Sequence, residues 1–117
     1  MSQPMHIKSF VAPSAIGGRK LVTFGVADGE VVEATAVTDT LIGVAEQIGS
    51  RDNDRVDVVV GGICEVEAGG TITRGDVLTA NASGKAVTSS AGTDRIVGIA
   101  MQSAVSGDVI DILIAQG

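Results

Sequence analysis

The residues of this chain whose types could do chemistry are few and far apart. Cys64 is the only cysteine and His6 the only histidine among 117 residues. A thiolate nucleophile needs an adjacent base and a third group to orient that base. His6 lies near the N-terminus, far in sequence from Cys64, and no third group accompanies either. A lone cysteine forms no internal disulfide, and one cysteine with one histidine falls short of the ligand set of a Cys/His metal centre. In Ile63-Cys64-Glu65-Val66 the cysteine reads as a small buried apolar side chain. Asp52, Asn53 and Asp54 offer oxygen atoms to a cation, but their spacing is not that of a calcium loop, and a solvated acidic turn accounts for them. Arg74-Gly75-Asp76 spells an adhesion tripeptide, which a glycine turn before a strand explains as well. The chain therefore does not read as an enzyme, and no catalytic residue, metal or cofactor is expected.

What stands behind these residues is a β scaffold. In the second half, Val77-Leu78-Thr79-Ala80, Arg95-Ile96-Val97-Gly98-Ile99-Ala100 and Val109-Ile110-Asp111-Ile112-Leu113-Ile114 alternate with Gly, Asp, Ser and Asn. This is the pattern of short strands joined by tight turns. Ile110, Ile112 and Ile114 fall on one face of such a strand, Asp111 and Leu113 on the other.

The pattern occurs twice. Leu41-Ile42-Gly43-Val44-Ala45-Glu46-Gln47 matches Ile96 to Gln102 at a spacing of 55 (43 to 98). The same spacing takes Val22 to Val77, Gly29 to Gly84, Val32 to Val87 and Asp39 to Asp94. With a gap it extends to Val56–Val60 against Val109–Leu113. Two copies are too few for a solenoid, so the pattern predicts one domain of two similar β halves closed around a shared core. The small vocabulary of strands and turns is the other source of such self-similarity. Strands are expected near 19–24, 30–34, 40–46, 55–60, 62–67, 76–79, 85–88, 95–101 and 108–114. Asp28-Gly29 is expected to be a hairpin turn, and Gly61-Gly62 to break a Val-rich run. No apolar stripe of helical period occurs; at most one helical turn is expected, around 34–39 or 88–94.

Residues 1–15 hold both prolines, Pro4 and Pro13, and read as an extended N-terminal arm with a short strand near 5–11, while residues 16–117 form the body. Such an arm is either a loose end or a strand added to a neighbour. Its apolar residues Met5, Ile7, Phe10 and Val11 are the candidate contacts to a partner. With no Trp or Tyr and only two Phe, the core must be aliphatic and its margin over chain entropy modest. Self-association is therefore expected. The net charge of −6, with no basic cluster, argues against nucleic acid, and no apolar run is long enough to span a membrane. A signal peptide is not expected, because no continuous apolar segment follows Lys8.

Two resemblances bear on function. Lys85, after Ser83-Gly84 at a hairpin and downstream of Gly75-Asp76-Val77-Leu78, is similar to the lysine that biotinyl and lipoyl carrier domains modify, although Ser83-Gly84 replace the Met or acidic residue found there. A carrier domain with Lys85 as attachment site is the alternative function. The run from Thr71 to Ala80, with Ser83-Gly84-Lys85-Ala86-Val87, Arg95–Ala100, Ser106–Ile114 and Leu41–Ala45, resembles the capsid decoration (cement) proteins of tailed bacteriophages, over roughly residues 17–117. That resemblance implies an all-β, small β-barrel-like protein on the outer capsid surface of the virion, made in the host bacterial cytoplasm. It would bind the major capsid protein of the expanded capsid and stabilise capsomer junctions, most simply as a homotrimer, with a dimer as alternative. It implies no active site.

Overall fold

The structure is a computed structural model that describes residues 6–46, 49–90 and 94–114. Every regular element among them is a strand: β1 (His6–Ala12), β2 (Leu21–Phe24), β3 (Val31–Glu33), β4 (Gly43–Ala45), β5 (Asp54–Glu67), β6 (Val77–Ala80), β7 (Ala86–Thr88), β8 (Gly98–Ala100) and β9 (Val109–Ile114). All pair antiparallel, in the order β3-β2-β4-β5-β9-β8-β6-β7, with β1 added to β5. The fold is all-β with two curled halves. Residues 34–39 form a turn and no helix, because the Asp39 carboxylate accepts the N–H groups of Thr35 and Ala36 and closes the loop on itself.

The two halves repeat each other residue by residue. Val22 faces Gly43 across β2 and β4, and Leu78 faces Gly98 across β6 and β8. Asp39 takes the Thr35 N–H at 2.8 Å, and Asp94 takes the Ser90 N–H at 3.2 Å. Left-handed backbone recurs at matched positions: Gly29 (φ 81) with Gly84 (φ 72), Asn53 (φ 59) with Gly107 (φ 95), and Arg19 (φ 60) with Gly75 (φ 94). The spacing is not constant, however. It is 55 at β3/β7 and β4/β8, but 56 at β2/β6 (22 to 78), because the first hairpin loop, 25–30, is one residue longer than the second, 81–85. Val22 thus matches Leu78, not Val77. In the last strands Val58 matches Ile112, a spacing of 54, which moves the expected alignment there by one residue.

The repeat also reaches further toward the N-terminus than its glycines suggest. Phe10 pairs with Val56 as Val66 pairs with Ile110, so β1 is the first-half counterpart of the C-terminal part of β5. Residues 6–12 are extended, yet they are a strand of the body rather than an arm reaching beyond it. Phe10 is 6 % exposed and Ala12 fully buried. Apolar burial of this size outweighs the freedom of a short extended segment.

β5 serves both halves. Its residues before Gly62 pair with β1 and β4, and those from Gly62 onward with β9. Gly61-Gly62 does not break the strand; the positive φ of Gly62 (86°) redirects it from one half into the other.

Each half has its own core. Phe10, Ala12, Ile16, Val22, Val31, Ala45, Val56 and Val58 pack together in the first. Their counterparts Val66, Ala68, Ile72, Leu78, Ala86, Ala100, Ile110 and Ile112 all lie in the second. The second cluster also takes in Leu21, Ala34, Leu41, Val44 and Val59 from the outer face of the first half. That is how the halves are joined.

Candidate functional site

A cleft of about 250 Å³ lies at the joint of the halves, lined by Arg19, Glu46, Val59, Cys64, Glu65 and Asp111 among others. Its one nucleophile is disarmed. Burial pushes the Cys64 thiol up to about 12, and the carboxylates of Glu46, Asp111 and Glu65 add to the rise. A thiolate is the reactive form, so at neutral pH Cys64 behaves as a small apolar side chain. No three metal-ligating side chains converge among the described residues. Asp52 accepts the Ala15 N–H at 2.7 Å, and Asn53 supplies a left-handed turn residue, so this acidic stretch is loop architecture. Asp76 of the Arg-Gly-Asp tripeptide likewise closes its own turn, accepting the Thr73 N–H at 2.8 Å.

Lys85 is tied into the joint. Its Nζ lies 3.1 Å from Glu67 Oε2, while Lys20 Nζ lies 3.0 Å from Glu67 Oε1. These two hydrogen bonds hold the Glu67 carboxyl below the usual range. The hairpin carrying Lys85 is docked rather than projecting, since the Gly84 carbonyl accepts the Leu21 N–H at 2.7 Å. A modified lysine must swing free at an exposed tip, and this one is held by Glu67 of its own half, which also takes Lys20 of the first half across the joint.

Of the four candidate contact residues of the N-terminus, the three that are described do not share one surface. Met5 lies outside the described residues, Ile7 is exposed on β1, Val11 is half-buried, and Phe10 points into the core with the Lys8 ammonium 5.7 Å from its ring centre. Sequence reasoning missed a different surface, the outer side of β6, β8 and β9. There Val77 faces Ile99 and Ile99 faces Leu113. All three are exposed. The available signal was the phase of each strand, which puts these residues opposite the buried Leu78, Ala100 and Ile112.

Among the described residues, what the geometry offers is therefore β surface and apolar patches, with no assembled chemistry. A sequence profile of the family described as phage cement protein matches residues 6–116. The chain belongs to the phage cement protein family. This cement protein is a capsid-associated structural protein, and its family points away from enzymatic activity. No curated protein sequence matches it. Among solved structures it is similar to the head fibre gp8.5 N base of bacteriophage phi29, with a TM-score of 0.76 and 23 % identity over 96 % of this chain and 95 % of that one. At that identity the likeness is one of fold. At that coverage it extends over both halves of the cement protein.

Proposed function

We propose that this protein cements a bacteriophage head: it binds the major capsid protein on the outside of the expanded shell and holds capsomer junctions together, as a homotrimer. Synthesis in the host bacterial cytoplasm follows from that role. The observation that carries the reading is membership of the cement family over residues 6–116. Packaged DNA pushes capsomers apart, and a clamp bound across their junction raises the cost of separation. Such binding stabilises the expanded shell only through its differential affinity for that shell over the precursor. Ile7 and the residues before it, including Met5, form the proposed capsid contact, because β1 pairs with β5 on one side and, apart from the bridge of Val11 to Glu30, leaves its other edge for strand addition. Phe10, whose side chain is buried in the first core, is left out of the proposed contact.

Sedimentation of the purified protein with expanded heads and with unexpanded procapsids tests this. Heads are expected to be decorated and to survive heating better than bare ones, while procapsids bind poorly. Deleting residues 2–5 together with Ile7→Asp should weaken decoration while the circular dichroism of the body is unchanged. Deleting 2–15 is not an equivalent experiment, since it removes Phe10 and Ala12 from the first core. A protein that sediments with neither particle ends the cement reading.

A further inference from the structure

The halves repeat in backbone but differ in what covers them. On the outer face of the first half, Leu21 faces Val44 and Val44 faces Val59. These three are 0 %, 1 % and 3 % exposed, because the second half sits on them. The matching row on the second half is Val77, Ile99 and Leu113, at 43 %, 37 % and 41 % exposed. A two-fold relation between the halves would bury both rows or neither. The packing is thus one-directional: the second half lies on the first, and among the described residues nothing lies in the same way on the second.

We infer that the row Val77–Ile99–Leu113 is covered by the first half of a second copy of this chain, packed head to tail. The repeat specifies the other side of the contact. Within the chain, the second-half residues buried in one cluster with Leu21, Val44 and Val59 include Ala80 and Val97. Their first-half counterparts are Phe24 and Ile42. Phe24 is 59 % exposed, Val26 beyond it is fully exposed, and Ile42 is half-buried. One chain therefore carries an uncovered face on its second half and, on its first half, the apolar rim that the repeat matches to such a face. Each is more apolar than a soluble surface needs to be.

The contact differs from the intramolecular joint in one respect. The positions matching Lys20 and Glu67 are Asp76 and Val11, so the ion pairs at the joint have no equivalent. Association is accordingly apolar and insensitive to salt. A heterologous contact of this kind closes into a ring or runs on as a filament, and a ring of three chains would present six similar halves. The inference rests on the self-association part of the proposed function and fills in its interface, while its test needs no capsid.

The test is a mixing experiment in a Cys64→Ala background. Protein carrying Ile99→Cys is combined with protein carrying Phe24→Cys and oxidised with diamide. Disulfide-linked pairs containing one of each variant are expected to exceed pairs of either variant with itself. In parallel, Ile99→Asp should shift the wild-type oligomer to monomer in light scattering with circular dichroism unchanged, since this side chain lies at the surface. A predominance of Ile99→Cys self-pairs would mean a two-fold contact and overturn the inference. So would a wild-type protein that is monomeric at every concentration used. Cross-linking that succeeds while heads remain undecorated removes only the capsid reading.

Discussion

The first half of the chain builds its core around Phe10, with Lys8 above the ring; the second puts Val66 and Cys64 at the same places and lets the first half cover them. The first half holds a left-handed Arg19 where the second has Gly75. Arg19 is kept there by its surroundings: its N–H donates to the Ala45 carbonyl, its own carbonyl accepts the Glu67 N–H, and its guanidinium lies 3.1 Å from Glu65. Side chains, then, vary between the halves wherever the surroundings can compensate. They coincide where the backbone leaves no choice.

The sharpest test of that distinction is the pair Gly43 and Gly98. A Cβ at Gly43 would run into the carbonyl oxygen of Val59, and one at Gly98 into that of Leu113, the same clash in each half. Neither carbonyl belongs to a flexible side chain, so the clash cannot be relieved cheaply. Gly43→Ala and Gly98→Ala are each expected to cost at least the upper end of core overpacking, about 3 kcal/mol or more, in urea unfolding. If one is tolerated, the halves are alike in outline only.

The next pair is Gly29 and Gly84, both at positive φ. Val at either position should cost more than about 1 kcal/mol, because a β-branched residue resists that conformation. The two should then diverge. Nothing would crowd a Cβ at Gly29, while one at Gly84 would sit against the carbonyls of Ala34 and Leu21 at the joint. Gly84→Val should therefore melt lower than Gly29→Val, and equal melting temperatures would deny the joint its tight fit.

The smallest effect is at Glu67, whose place the first half fills with Val11. Its carboxyl is held low in the folded state by Lys20 and Lys85. The stability this contributes is complete above the unfolded value near 4.5 and is lost as pH falls through the lower folded value. Since the side chain is a quarter exposed, the contribution is under about 1 kcal/mol at neutral pH. Glu67→Gln should flatten the acid limb of a stability profile by that amount. An unchanged limb would mean that the joint is held by its apolar contacts alone.

The all-β class, the turns and the duplication were legible in the sequence because glycines and turn aspartates mark the repeat: Gly29 with Gly84, Asp39 with Asp94, Gly43 with Gly98. The place of β1 was not. At strand positions the fold asks only for apolar shape, which Phe10 and Val66 meet with different residues, and the prolines near the terminus suggested a free segment. The one-residue shifts at β2 and in the last strands were hidden for a related reason, since Val-rich runs match themselves in more than one register. The uncovered row was invisible too. Val77, Ile99 and Leu113 are as apolar as Leu21, Val44 and Val59, and only the packing of one half on the other distinguishes them.

β5 has a mechanical consequence. Because the strand that completes the first half continues as the strand that opens the second, a pull applied across the two halves is carried along covalent bonds from Asp54 to Glu67. Strands running along the pull, β1 and β9 against β5, would have to slide lengthwise, breaking many hydrogen bonds together instead of one after another. In the proposed role a clamp on a pressurised shell would be loaded in this way, with the shared strand resisting separation of the two halves.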